Sequence, residues 1–180
     1  MRQDELEHIL RAACEITRER EVLVIGSQAI LGSYSDEVLP EEVTRSIEAD
    51  VAFFDDPNES RSDAVDGAIG EASPFHSEFG IYGQGVGLHT AVLPEGWRER
   101  LVRLAPIDQH GSIAWCLEPH DLVVSKLVAG RAKDYDFAVA LVRSSLVEMH
   151  ILRERTQMLP VVGAVRRRIL TWLERLAARR

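Results

Sequence analysis

Apolar residues at Leu6, Ile9, Leu10, Ala13 and Ile16 recur at helical spacing and predict an amphipathic helix over residues 4–20. The run Val22-Leu23-Val24-Ile25 is short, apolar and β-branched, which predicts a buried strand ending at Gly26. Gly26-Ser27 then opens a short helical stretch over 28–34. Residues 35–46 are polar and contain Pro40, so they read as a loop or frayed helix. Ile47 to Phe54 predicts a second strand, stopped by the turn Asp55-Asp56-Pro57-Asn58. A weak helix over 59–72 follows, then a loop over 73–87. The alternating Gly83, Gly85 and Gly87 read there as flexibility. Leu88–Leu93 predicts a strand, and 102–107 and 112–117 two more, joined by a hairpin at 108–111. Beyond them the pattern is helical at 119–129, 133–144, 146–158 and 161–178, punctuated by Gly130 and Pro160. The order predicts an α+β fold in one compact unit: a mixed α/β core over 1–118 with a helical segment, 119–180, packed on it.

With 180 residues, 46% hydrophobic and 28% charged, the chain has the balance of a soluble globular domain. No stretch approaches a membrane span, so no membrane partner is expected. The start, MRQDELEH, lacks the apolar core of a secretory signal. Cys14 and Cys116 lie far apart without a CxxC partner, which points to a reducing cytoplasm. The net charge of −8 is uneven: residues 151–180 carry eight arginines against two glutamates, a net of +6, which leaves −14 on residues 1–150. The basic helix, with Arg166, Arg167 and Arg168, is either an RNA-backbone surface or an ordinary solvated face.

Candidate chemistry gathers in two places. Glu48 and Asp50 lie two apart on a predicted strand and so project from the same face. Two like charges side by side call for a cation, and Mg²⁺ prefers one or two carboxylates plus substrate phosphates. The alternative is a loop-end glutamate beside a lone strand-edge aspartate. Gly26-Ser27, where strand passes into helix, offers free backbone N–H groups to a phosphate. The second place is Pro119-His120-Asp121-Leu122 through Lys126-Leu127, then Ala129-Gly130-Arg131-Ala132-Lys133-Asp134. Lys126 and Lys133 are the two lysines beside nineteen arginines. Lys126 sits on an otherwise apolar helix, so it either points at a cleft or anion or snorkels from a helix end. Asp134 falls in the first turn of the next helix, where a dipole role is also open. The chain contains no P-loop, dinucleotide fingerprint, zinc-type histidine spacing or nucleophile elbow.

Together these segments resemble the nucleotidyltransferase superfamily: a strand, Gly-Ser, a helix, then a strand bearing E-x-D. The 119–136 segment is similar to AbiEii-like and related bacterial nucleotidyltransferase-like proteins. The resemblance covers about residues 20–145. It implies a nucleotidyltransferase fold, a short mixed sheet flanked by helices, and an NTP substrate with Mg²⁺ as cofactor. Carried over by residue, it places catalysis at Glu48, Asp50, Lys126 and Asp134, the metal on Glu48 and Asp50, and the nucleotide at Gly26, Ser27, Lys126, Arg131 and Lys133. The implied acceptor is a hydroxyl on a macromolecule, tRNA or protein, within a toxin–antitoxin or abortive-infection pair that would supply a partner protein. A small-molecule acceptor, or an inactive fold kept as a binding or antitoxin module, are the alternatives. The chain departs from the pattern in three ways: twenty residues between Ser27 and Glu48, glutamate as first carboxylate, and no third acid on the expected strand Leu88–Val92.

Overall fold

The computed structural model describes residues 1–104 and 111–178. Helix α1 (Gln3–Thr17) starts where the Arg2 N–H donates to Glu5 Oε2 at 2.7 Å. It buries Leu6, Ile9, Leu10 and Ala13 against the sheet and helix α3. Strand β1 (Glu21–Val24) is the centre of a five-stranded mixed sheet ordered β3-β2-β1-β5-β4. A 3₁₀ turn over Ser27–Gly32 and the short helix α2 (Glu41–Thr44) separate it from β2 (Glu48–Ala52), which pairs with it antiparallel. Helices α3 (Ser60–Ile69) and α4 (Pro74–Phe79) precede β3 (Tyr82–Gly85), which runs parallel to β2. Strand β4 (Val102–Arg103) pairs antiparallel with β5 (Ile113–Cys116), and β5 lies parallel to β1. Four helices close the chain: α5 (Pro119–Ala129), α6 (Ala132–Arg143), α7 (Met149–Gln157) and α8 (Gly163–Ala177). This is the α+β architecture expected, and α5 packs back on the 3₁₀ turn of the front half.

The strand expected at Leu88–Leu93 is absent. Leu88–Thr90 is a single 3₁₀ turn, and the edge strand lies earlier, inside the segment expected to be a loop. The glycines explain the misreading. A Cβ on Gly83 would stand 2.8 Å from Ile9 and 2.9 Å from Ile69, and one on Gly85 would stand 1.8 Å from the Ser62 carbonyl. The alternation is therefore the period of a strand whose inner face is pressed by α1 and α3, not flexibility. The 73–87 segment also contains α4, capped by the Ser73 hydroxyl, which accepts from the His76 N–H. The hairpin expected at 108–111 lies mostly outside the described residues, though β4 and β5 pair as its arms would.

Helix α8 is tied down by two of the arginines read as either an RNA surface or a solvated face. Arg168 donates to the carbonyls of Leu127 and Val128, both at 2.8 Å, at the C-terminus of α5, and Arg166 donates to the Leu159 carbonyl at 2.8 Å. A guanidinium there satisfies carbonyls that the helix end leaves open. Arg168→Ala is expected to lower stability by about 1–3 kcal/mol, as charge-assisted hydrogen bonds of this kind contribute. Thermal denaturation would read it, and nucleotide affinity should stay at the wild-type value.

Candidate active site

Gly26 and Asp50 fix each other. Asp50 projects from β2 toward the end of β1, and its carboxylate lies where a Gly26 side chain would be: a Cβ would come within 1.5 Å of Asp50 Oδ2. Only glycine admits the acid at this turn. Glu48, two residues earlier on the same face, lies beside Asp50 and accepts from the Tyr82 hydroxyl at 3.2 Å. Burial, then the Glu48 charge, raises the Asp50 carboxyl to about 6, while Lys126 and Lys133 pull it down. The Tyr82 phenol is pushed up to about 12, by burial first and by Glu48 next.

Lys126 comes from α5 and reaches the same place. Its Nζ donates to Ser27 Oγ at 2.9 Å, stands 3.6 Å from Asp134 Oδ1 and lies 4.8 Å from the centre of the Phe137 ring. Its side chain is 11% exposed. Burial lowers this amine from its ordinary value, against the opposing pull of Asp134 and Asp50. The acid pair, the Gly-Ser turn and the amine thus form one constellation from three separate elements.

Much of the 118–134 segment serves to place Lys126. The Glu118 carboxylate caps α5, accepting from the N–H groups of His120 and Asp121 at 3.0 and 3.2 Å, and Pro119 occupies the first turn. Asp121 is buried between Arg100, at 2.8 Å, and Arg155, at 3.1 Å. Gly130, at φ 67°, ends the helix by donating to the Lys126 carbonyl. Asp134 was expected among the catalytic groups, but it is sealed from solvent. It accepts from the Arg131 backbone and guanidinium at 3.1 and 2.8 Å and faces Lys126. Burial opposes its charge, yet the Arg131 hydrogen bonds and the Lys126 charge outweigh it and hold Asp134 below the usual carboxylate range. Asp134 is thus enclosed between Arg131 and Lys126, with no surface open to a substrate. Arg131 is the exposed partner of that cap, and Lys133 stands free on the first turn of α6.

A cleft of about 630 Å³ opens between residues 40–46 and α6. Ser27 and Lys126 are in its wall, with Arg45, Lys133, Phe137 and Arg143; Glu48 and Asp50 are not, and they connect to it through Ser46 and the Gly26-Ser27 turn. Pattern reasoning missed Gln28, which is fully buried and donates from Nε2 to the Ser46 carbonyl at 3.1 Å. Ser46 in turn engages Glu48 through its hydroxyl, at 3.2 Å from the Glu48 N–H, so the turn and the acid strand are braced together. The signal available was its place directly after Gly26-Ser27. It also missed Tyr82, since β3 was not expected there. In the parallel register Tyr82 and Gln84 lie beside Glu48 and Asp50. The face where a third acid would stand on β3 thus holds a phenol and an amide.

Two neighbouring carboxylates, Asp50 raised to about 6 by burial and then by the Glu48 charge, concentrate negative charge that a hard divalent ion such as Mg²⁺ would relieve. Among the described residues no group of three or more histidine, cysteine or acid side chains is placed to hold a metal alone. The pair therefore fits an ion completed by substrate phosphates rather than a closed protein cage. No curated protein and no solved structure matches the chain. A family model does match, over residues 4–168, and its description is nucleotidyltransferase of unknown function (DUF6036). Covering most of the sequence and every residue of the acid pair, the turn and the amine, that match shows that the chain belongs to this nucleotidyltransferase family.

Proposed function

We propose that the protein is a Mg²⁺-dependent nucleotidyltransferase that moves a nucleotidyl group from an NTP to a hydroxyl of a macromolecular acceptor, tRNA or protein. The observation that carries this reading is the convergence of Lys126 Nζ on Ser27 Oγ, next to a glycine emptied for Asp50. Glu48 and Asp50 would hold Mg²⁺, which when bound polarises the α-phosphorus and offsets the charge of the leaving pyrophosphate. The Gly26-Ser27 turn and Lys126 hold the triphosphate, with Asp134 keeping the amine charged and aimed. The acceptor oxygen bonds to the α-phosphorus as the bond to the β-phosphate oxygen breaks. One carboxylate of the pair would help take the acceptor proton, and pyrophosphate leaves with the electron pair of the broken P–O bond. Tyr82 orients Glu48.

The AbiEii-like kinship and a toxin–antitoxin setting rest on the 119–136 segment alone. Two buried free cysteines suit a cytoplasmic location. An RNA surface on α8 would have to use exposed Arg167 and Arg175, since Arg166 and Arg168 bind backbone carbonyls. A second reading, a nucleotide-binding module without turnover, is favoured by one observation: Tyr82 and Gln84 at the third-acid position. Pyrophosphate release from α-labelled NTP with Mg²⁺ and total RNA or cell protein separates the two. The enzyme reading expects release and label transfer from wild type, with Lys126→Met slower by the roughly 10²–10³-fold that losing one preorganised charge-stabilising donor costs. Nucleotide binding without release or transfer would sink it.

A further inference from the structure

We propose that Arg45, Lys133 and Arg143 form a second phosphate subsite in the outer cleft, built to hold a chain of phosphates. The proposal rests on the nucleotidyltransferase reading of the cleft and extends it beyond the Ser27–Lys126 position.

Charge gives the first ground. Residues 1–150 carry a net of −14, yet the cleft wall gathers Arg45, Lys126, Lys133 and Arg143 against Glu42 and Asp136, with Lys126 paired to Asp134 and the acids Glu48 and Asp50 outside that wall. Such a basin in an acidic body focuses anions. Partners give the second. Among the described residues, Arg45, Lys133 and Arg143 form no ion pair and no side-chain hydrogen bond, although all three line the cleft. Their donors are free for a ligand.

Geometry gives the third. Arg45 follows α2, inside the extra length between Ser27 and Glu48, and so belongs to the wall that this insertion builds. Lys133 and Arg143 mark the two ends of α6 on the opposite wall. Ten residues of helix separate them by about 15 Å along the axis. That span suits successive phosphates better than a single ion. Lys133 and Lys126 line the same cleft, which links the outer position to the Ser27–Lys126 position. Arginine forks suit phosphate oxygens in bidentate fashion. A chain of phosphates has two sources: the tail of the NTP, or the phosphodiester backbone of a nucleic-acid acceptor.

The test uses Arg45→Ala/Arg143→Ala in the full chain, both sites being exposed and partnerless. Inorganic tripolyphosphate in EDTA, an NTP with Mg²⁺, and a short single-stranded RNA are each titrated by calorimetry. Weakening of tripolyphosphate by about tenfold or more, a change of roughly 1.4 kcal/mol, is expected. If the NTP weakens alongside it and RNA does not, the subsite holds the substrate's tail. If RNA weakens and its salt dependence flattens by about 0.7 per lost contact, the subsite holds the acceptor backbone. Should the double variant melt early, Arg45→Gln is read in the same titrations. Unchanged affinity for all three ligands, or no tripolyphosphate binding by wild type, overturns the proposal. Tripolyphosphate binding by wild type without Mg²⁺-dependent NTP binding would instead defeat the nucleotidyltransferase reading and leave the subsite standing.

Discussion

Asp50→Asn is expected to abolish Mg²⁺-dependent nucleotide binding and turnover while making the ligand-free protein more stable at pH 8. The two effects have one cause. Asp50 is buried beside Glu48, and its folded value is about 6 against an ordinary 3.8. Between those values the folded state binds a proton that the unfolded state does not. Stability from this group therefore rises as pH falls from about 6 toward 4, and the ionised form costs stability above about 6. Asparagine keeps the shape and removes that cost, so the variant should gain about 1–3 kcal/mol at pH 8 and lose the pH dependence in that window. Activity should fall by more than the roughly 10–100-fold that changes to a metal site's outer shell produce, because a direct ligand is removed. Thermal melts from pH 4.5 to 8.5, with and without Mg²⁺, read both effects. Mg²⁺ should raise the wild-type melting temperature above pH 6 and leave the variant unmoved. A residue kept for packing would show the reverse, a loss of stability without a metal response.

Gly26→Ala is the second large effect. One methyl group at this position would stand 1.5 Å from Asp50 Oδ2, well inside any permitted contact. The carboxylate must leave, and β2 holds its backbone through the pairing of Val51 with Val24. The side chain therefore rotates away from Ser27 and Lys126 rather than the strand shifting. Loss of metal-dependent binding comparable to Asp50→Asn is expected, since a displacement of about 1 Å already costs around 10²-fold where reacting groups must be aligned. Gly32→Ala is the control. Its Cβ would meet Cys116 at 2.5 Å, so it should destabilise the core and leave the Mg²⁺ response of the folded fraction intact. Equal damage from both variants would mean that Gly26 serves packing alone.

The parts of this site that follow strong local rules were legible in the sequence. Helix α5 begins and ends where Pro119 and Gly130 place it, because both residues act through their own backbone geometry. Glu48 and Asp50 share a face because strand period leaves no other choice. The rest depended on neighbours far along the chain. β3 was hidden because Gly83 and Gly85 have weak strand propensity, and only the closeness of Ile9, Ile69 and Ser62 makes glycine necessary there. Asp134 showed its charge in the sequence but not its enclosure, which comes from Lys126, Arg131 and the packing of α6. Arg168 looked like a solvated cation until α5 ended beneath it. The cleft itself is formed by residues 40–46 meeting α6, a contact that no local pattern encodes.

That the acids, the turn and the amine act as one nucleotide site is measured most directly by calorimetric titration of each NTP into wild type and into Glu48→Gln/Asp50→Asn, with Mg²⁺ and with EDTA. Wild type should bind an NTP far more tightly with Mg²⁺ than with EDTA, and the double variant should show no gain from Mg²⁺. Equal affinity in the two proteins, or wild-type binding indifferent to Mg²⁺, would contradict the account.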